Sequence, residues 1–349
     1  MKYNTIAHSD LKVSQICLGT MTFGAQNSES QAHQQLDYAL AHGVNFIDTA
    51  EMYPVPPEAK NQGDTERFIG SWIAKRRDRS DFILASKVAG PRNMPHIREG
   101  SGYSKTSIRQ ALLDSLSRLN TDYLDLYQLH WPERITNCFG QLNYAQNQAN
   151  YDKQAQINCI GETLEALSQL KQEGLVRHIG LSNETPWGVM RFLQLSELQS
   201  MARMITIQNP YNLLNRSFEV GLSEICDYEG IGLLAYSPLA FGVLSGKYLN
   251  GQKPEGARLS LFARFQRYNN PQALAATQAY VTLAQQHDLD PAQMALAFVN
   301  SRSFVASNII GATTLEQLKD NINSVELSLS AEVLDGIEAI AKQYSNPAP

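Results

Sequence analysis

Short apolar runs alternate with amphipathic stretches from one end of this chain to the other. The runs occupy residues 16–21, 45–50, 82–88, 124–130, 177–182, 205–209, 232–236 and 308–311. Helix-periodic segments occupy residues 30–42, 64–75, 105–118, 160–173, 185–199, 216–228, 272–287 and 314–323. Strands buried on both faces read as continuous apolar runs, and parallel strands need a crossover, usually a helix, to bring the chain back. Eight such units predict a (β/α)8 barrel, the TIM-barrel arrangement. An open doubly wound sheet is the competing arrangement for the same pattern. A length of 349 residues suits one barrel, and residues 1–349 are read as a single barrel domain.

Local signals sharpen this reading. Ser104 precedes Ile108, Leu112, Leu116 and Leu119, which share one helical face. Gly174 stands where a helix through Glu173 would end in the left-handed conformation. Asn183 is expected to cap the helix that follows it. Residues 3–7 and 11–14 read as a β-hairpin around His8-Ser9-Asp10, placed to plug the barrel bottom, and an extra C-terminal helix is expected at about 331–343. Three connections are long, at residues 91–103, 131–158 and 241–270. The first two follow strands and therefore hang over the rim where barrel active sites lie.

Composition narrows the function classes. Hydrophobic residues make up 43% and charged residues 18%, which supports a large core and argues against disorder. A formal net charge of −5 argues against general nucleic-acid binding. Cys17, Cys138, Cys159 and Cys226 are scattered, with no Cys-x-x-Cys spacing, so reduced thiols are expected. The polar opening has no signal segment, and no apolar run is long enough to span a membrane, so a cytoplasmic protein is expected. The histidines show no metal-ligand pairing, and no metal is expected. Gly242-Val243-Leu244-Ser245-Gly246-Lys247-Tyr248 has the outline of a phosphate-binding loop. Its spacing is one residue short, and Tyr248 stands where a hydroxyl would bind magnesium. Gly230-Ile231-Gly232 fits a permissive dinucleotide pattern but enters a strand.

The chemistry gathers at strand ends. Asp48 closes the second run, Lys87 lies near the end of the third and His130 closes the fourth, while Tyr53 follows Asp48 in a Pro-rich loop. Each residue alone has an ordinary explanation: an acid that caps a helix, a loop tyrosine, a core histidine. Together on one rim they supply an acid, a phenol, an amine and an imidazole, which suits proton transfer. A phenol ionises near pH 10, and an ammonium beside it favours the phenolate. Lys87 is expected to play that part, with Asp48 holding it, and His130 to orient a carbonyl oxygen. Lys247, Arg258, Arg264 and Arg267 cluster in the third long connection, which alone reads as a solvated charged loop.

The segment Ile47-Asp48-Thr49-Ala50-Glu51-Met52-Tyr53 resembles the Asp-Thr-Ala-x-x-Tyr signature of the aldo-keto reductases. Ala85-Ser86-Lys87, Ile179-Gly180-Leu181-Ser182-Asn183, Gln208-Asn209-Pro210-Tyr211-Asn212, Leu234-Ala235-Tyr236-Ser237-Pro238-Leu239 and Ile310-Gly311-Ala312-Thr313 follow in that family's order, so the resemblance covers essentially the whole chain. It implies a barrel that binds NADPH/NADP+ in extended form without a Rossmann domain. Asp48, Tyr53, Lys87 and His130 become the catalytic tetrad, with Tyr53 the proton donor. Gly19, Thr20, Met21 and Asp48 are implied at the cofactor. Ser182, Asn183 and Gln208 would hold the nicotinamide carboxamide, and Tyr236 would stack on its ring. Ser237, Pro238, Leu239, Gly242, Leu244 and Lys247 would line the pyrophosphate. Gly311, Thr313, Gln317 and Asn321 would contact the adenosine end, Thr313 keeping a hydroxyl where relatives often have serine. Lys247 and Arg264 become candidates for the 2′-phosphate, for which an arginine fork is suited.

The resemblance implies reduction of an aldehyde or ketone to an alcohol, with a small-molecule carbonyl substrate as the partner. The alternative is an NADPH-binding sensor or regulatory barrel, as in the related potassium-channel β-subunits. The intact tetrad favours chemistry. Neither the substrate nor the oligomeric state is legible.

Overall fold

In the computed structural model, which describes every residue except 92, 93, 143 and 145–151, eight parallel strands close into a barrel. A hairpin comes first, β1 (Tyr3–Thr5) antiparallel to β2 (Lys12–Ser14). The barrel strands are β3 (Ile16–Gly19), β4 (Phe46–Asp48), β5 (Ile83–Val88), β6 (Leu124–Leu129), β7 (Val176–Ser182), β8 (Met204–Pro210), β9 (Gly232–Tyr236) and β10 (Val305–Ile310). β10 pairs with β9 on one side and β3 on the other, which closes the ring and removes the open sheet from contention. All eight expected strands are present. Residues 92 and 93 of the 91–103 connection and residues 143 and 145–151 of the 131–158 connection fall outside the description.

The hairpin plugs the barrel floor as expected. Ile6, Leu11 and Val13 pack against Cys17, Phe46, Leu126 and Leu234, side chains that point down the barrel axis. A plug of this size leaves the opposite rim free for polar side chains. The larger apolar cluster lies between the strands and the helices outside them.

The helices are α1 (Glu29–Ala41), α2 (Asp64–Ile73), α3 (Lys105–Leu119), α4 (Lys153–Gln172), α5 (Pro186–Leu198), α6 (Leu222–Glu229), α7 (Arg258–Leu261), α8 (Pro271–Gln286), α9 (Pro291–Asn300), α10 (Leu315–Asn323) and α11 (Ala331–Gln343). Ser104 caps α3 by accepting from the amide of Ser107, and Gly174 takes positive φ just past α4. Four expectations need correction. α4 starts at Lys153, where Asp152 accepts from the amide of Ala155, because its first two turns are polar and carry no apolar stripe. The segment 216–228 is broken by Gly221, with φ of 92°, so only its second part is α6. Thr185, not Asn183, caps α5. The helix α9 has no counterpart in the sequence reading, since Met294 through Val299 are all buried and leave no polar face to generate a period. Its signal was Asp290 followed by Pro291, a cap and a first-turn proline.

β5 is held from outside as well as from inside. The Ser86 hydroxyl donates to Glu66 Oε1 at 2.6 Å, and Arg118 Nε donates to Glu66 Oε2 at 2.7 Å, tying α2 and α3 to the strand. Period-two alternation then turns Lys87 inward. The α2–α3 contact depends on Gly70, where a Cβ would sit 2.1 Å from the Arg118 carbonyl oxygen. Gly70→Ala is therefore expected to force the two helices apart and to destabilise the fold by about 1–3 kcal/mol. Urea unfolding is the measurement, and a midpoint equal to the parent's would show that the contact relaxes without cost.

Candidate active site

The rim opposite the plug gathers the residues singled out from the sequence. Asp48 ends β4, Lys87 lies one residue from the end of β5, and His130 follows β6 directly. Lys87 is fully buried, and its ammonium donates to Asp48 Oδ2 at 2.7 Å, to the Thr49 carbonyl at 2.9 Å and to Tyr53 Oη at 3.4 Å. The other Asp48 oxygen accepts from Gln208 Nε2 at 2.9 Å and Gln128 Nε2 at 3.2 Å. Gln128 was not singled out from the sequence; its signal was an amide two residues before His130, on the same inward face. Tyr53 arrives by a tight loop in which its amide donates to the Ala50 carbonyl at 3.0 Å. Its ring meets His130 edge-on with centroids 5.7 Å apart. The four expected residues thus meet in one place.

The electrostatics differ from expectation at Tyr53. Burial pushes its phenol above the ordinary value, and the Lys87 charge opposes that only in part. Burial alone would lower Lys87; the charge of Asp48 and the Tyr53 hydroxyl outweigh it, and the ammonium ends above its ordinary value. The resting pair is a neutral phenol beside a charged amine.

Ser182, Asn183 and Gln208 form a second network. Ser182 Oγ donates to the Gln208 carbonyl at 2.8 Å. Asn183 Nδ2 donates to the His130 carbonyl at 2.9 Å and to Ser182 Oγ at 3.0 Å, while its Oδ1 accepts from Tyr236 Oη at 2.7 Å. Asn183 takes a positive φ of 55°, which aims it across the strand ends and explains why it does not cap α5. All three lie beside Asp48 and His130, with the Ser182 hydroxyl and the Asn183 and Gln208 amides engaged by the protein.

A cavity of about 1510 Å³ runs from these groups across the rim. Gly19, Thr20 and Met21 line it after β3, and Ser237, Pro238, Leu239 and Gly242 after β9. Gly311, Thr313, Gln317 and Asn321 line its far end. There Gln317 Oε1 accepts from the Thr313 amide at 3.1 Å and hydroxyl at 3.2 Å. Leu244 is the exception: it does not line the cavity and packs into the main core, because the turn after β9 points it inward. That turn carries positive φ at Ala240, Phe241 and Gly242, a backbone shape suited to wrapping an anion.

The basic residues sort differently from the sequence reading. Arg264 is exposed at the rim. Arg258 instead lies in the cavity wall, its guanidinium 5.6 Å from the ring centroids of Phe241 and Phe265. The Lys247 stem crosses Gly242, where a Cβ would be 2.9 Å from its Cε. Burial lowers both Lys247 and Arg258, and the charge of Arg258 lowers Lys247 further. Among the described residues no carboxylate pairs with either. Two cations that feel each other and lack a carboxylate partner among the described residues are suited to an anion. The apolar wall near His130, made by Met52, Met94, Trp131 and Phe139, was also missed, because single large side chains in irregular loops carry no period.

Residues 15–342 match the sequence profile described as Aldo/keto reductase family. The chain is 56% identical over 351 residues to Protein tas of Escherichia coli (strain K12), covering 100% of both. It is 37% identical over 254 residues to a protein named Aldo-keto reductase from Babesia bovis, covering 70% of this chain and 89% of that one. It is 29% identical over 348 residues to the NADH-specific methylglyoxal reductase of Escherichia coli (strain K12), covering 95% of each. No described helix is long and apolar enough to cross a membrane.

Removing the central cation should leave the Asp48 carboxylate buried without a counter-charge, which costs about 3–5 kcal/mol. Lys87→Met is expected to lower folding stability by that amount. The double variant Asp48→Asn/Lys87→Met should recover most of it, since neither charge remains. Denaturant titration of parent, single and double variants reads the coupling; simple addition of the two single effects would mean that the pair is not the interaction that matters.

Proposed function

The chain belongs to the aldo/keto reductase family, and on that premise we propose that it is an NADPH-dependent reductase that converts an aldehyde or ketone to an alcohol, with Tyr53 as the proton donor. The observation that carries this reading is the unbroken chain Asp48–Lys87–Tyr53, with Lys87 Nζ 2.7 Å from the carboxylate and 3.4 Å from the phenol. A sensor would not need a phenol poised in this way.

The residues fit the cofactor. The cavity exceeds the roughly 300–1,000 Å³ of an ordinary small-molecule site and has room for a dinucleotide beside a second molecule. Lys247 and Arg258 meet the charge of its phosphates, and the positive-φ turn at Ala240–Gly242 lies beside them. Tyr236 offers a partly exposed ring at the barrel mouth, and Ser182, Asn183 and Gln208 offer exchangeable amide and hydroxyl partners for a carboxamide. Thr313, Gln317 and Asn321 suit the adenosine end. Bound there, NADPH supplies the hydride. A relative is named for NADH specificity, so the preference for NADPH rests on this chain's own cations.

The chain's part is protonation and orientation. His130 and Tyr53, with rings 5.7 Å apart, hold the substrate oxygen between them. Tyr53 Oη gives its proton to that oxygen as charge develops there. The phenolate left behind is stabilised by Lys87 Nζ, itself held by Asp48 and the Thr49 carbonyl, and regains a proton from water. Because burial keeps Tyr53 protonated past its ordinary value of 10.0, the donor is present at neutral pH. The free thiols of the chain suit a reducing compartment such as the cytoplasm.

Tyr53→Phe removes only the hydroxyl and is expected to cut kcat for carbonyl reduction by ~100- to 10,000-fold, with NADPH affinity nearly intact. In the parent, kcat/KM for reduction should hold through neutral pH and decline only above about pH 10; a decline near neutrality would point to a different donor. Arg258→Ala is expected to weaken NADPH binding by about 10- to 150-fold, the range for a charge-assisted hydrogen bond, and Arg264→Ala far less. Fluorescence titration reads both, and the opposite ranking would return the phosphate contact to the rim. Equal affinity of the parent for NADPH and NADH would sink the cofactor preference and leave the tetrad untouched.

A further inference from the structure

Arg267 differs from the other cations of the cavity in its place against the loop after β6. Its guanidinium lies 5.9 Å from the ring centroid of Phe139 and 5.8 Å from that of Tyr268, and its Nε rests against Gly140, where a Cβ would be 3.3 Å away. Its polar neighbours are the hydroxyls of Tyr236 and Tyr268. The partly buried Arg98, Arg118, Arg134 and Arg216 each hold a carboxylate, whereas Arg191, Arg258 and Arg302, like Arg267, pair with none among the described residues. Arg267 has none among the described residues, and residues 92, 93, 143 and 145–151 contain no Asp or Glu to supply one. A half-buried guanidinium without a counter-ion is costly unless a ligand completes it.

Its position says which ligand. Phe139 meets Trp131 edge-on at 6.2 Å, Trp131 meets His130 at 4.9 Å, and His130 meets Tyr53 at 5.7 Å. An aromatic strip therefore leads along the cavity wall from the phenol to the guanidinium, with Met52 and Met94 packed against Trp131. Lys247 and Arg258 face each other on the connection after β9, by the turn that suits phosphate. Arg267 faces the loop after β6 instead.

We propose that Arg267 binds a carboxylate of the substrate, so that the carbonyl compound reduced at Tyr53 has a flat apolar body and an anionic far end. This rests on the reductase reading for the position of the carbonyl. The planar fork of the guanidinium matches a carboxylate in two parallel hydrogen bonds. The strip of rings between the two ends suits an unsaturated or aromatic body.

The test uses the full chain with 4-formylbenzoate and 4-formylcinnamate, two lengths of the same design, each beside its uncharged methyl ester. The parent should favour at least one acid over its ester in kcat/KM by about 10- to 150-fold. In Arg267→Gln that ratio should collapse toward one, and Arg267→Lys should retain part of it. A ratio unchanged by Arg267→Gln overturns the proposal, as does a loss of NADPH affinity with the ratio intact, which would make Arg267 a cofactor ligand. Calorimetry of 4-hydroxymethylbenzoate and its methyl ester on the NADPH complex, a pair that cannot react, separates the two readings. Acid binding lost in Arg267→Gln supports the anion site even if neither aldehyde is reduced, an outcome that would count against the reductase reading alone. Equal binding of acid and ester to the parent overturns the anion site whatever the turnover.

Discussion

A lysine ammonium with no exposure to solvent holds this rim together. Taking Lys87 and Asp48 out of water costs several kcal/mol for each ion, and only close geometry with every remaining polar site filled returns it. Here the ammonium reaches a carboxylate, a backbone carbonyl and a phenol, while the carboxylate also takes two amide donors. Adjacent strands bring the pair together: β4 and β5 place Asp48 level with Ala85, and β5 and β6 place Lys87 level with Gln128. An open sheet would bring these three neighbours together but would leave Gln208, four strands further on, out of reach. Closure of the barrel is what lets one carboxylate gather donors from β5, β6 and β8.

The same closure divides the work between the two ends. At the floor the hairpin fills the axis with Ile6, Leu11 and Val13. At the rim the inward positions become polar and face each other across a short span. Between them Cys17, buried above the plug, feels both Asp48 and Lys87, and burial pushes its thiol well above the ordinary value. It stays a small neutral filler. On the outer face Glu66, paired with Arg118 and Ser86, fixes β5 from behind, so the strand that carries Lys87 is tied on both sides.

Much of this was legible in the chain. Buried parallel strands write themselves as apolar runs, and all eight are where those runs lie. The convergence of Asp48, Tyr53, Lys87 and His130 was legible because strand ends are the one place where a barrel turns polar side chains toward each other. What escaped follows from the same physics. Helix α9 is apolar all round and has no period to detect. Asn183 looks like a cap in one dimension, yet its positive φ turns it toward Tyr236, a residue 53 positions away. Arg258 and Arg264 are indistinguishable in sequence, and only the fold of the 241–270 connection sends one into the wall and leaves the other at the rim. The Leu244 side chain faces the core for the same reason.

That connection contributes Lys247 and Arg258 to the cavity lining, and also Arg267, which lies against Phe139 and Gly140 of the loop after β6. If NADPH and a carboxylated substrate occupy the cavity as proposed, this one stretch of backbone would touch both, and a shift in its fit to one would be felt by the other. Thermodynamic linkage makes the effect symmetric: whatever factor the cofactor lends to substrate affinity, the substrate lends back to the cofactor. Affinities for the two molecules would then be coupled, and a graft of residues 241–270 between relatives is expected to move both preferences.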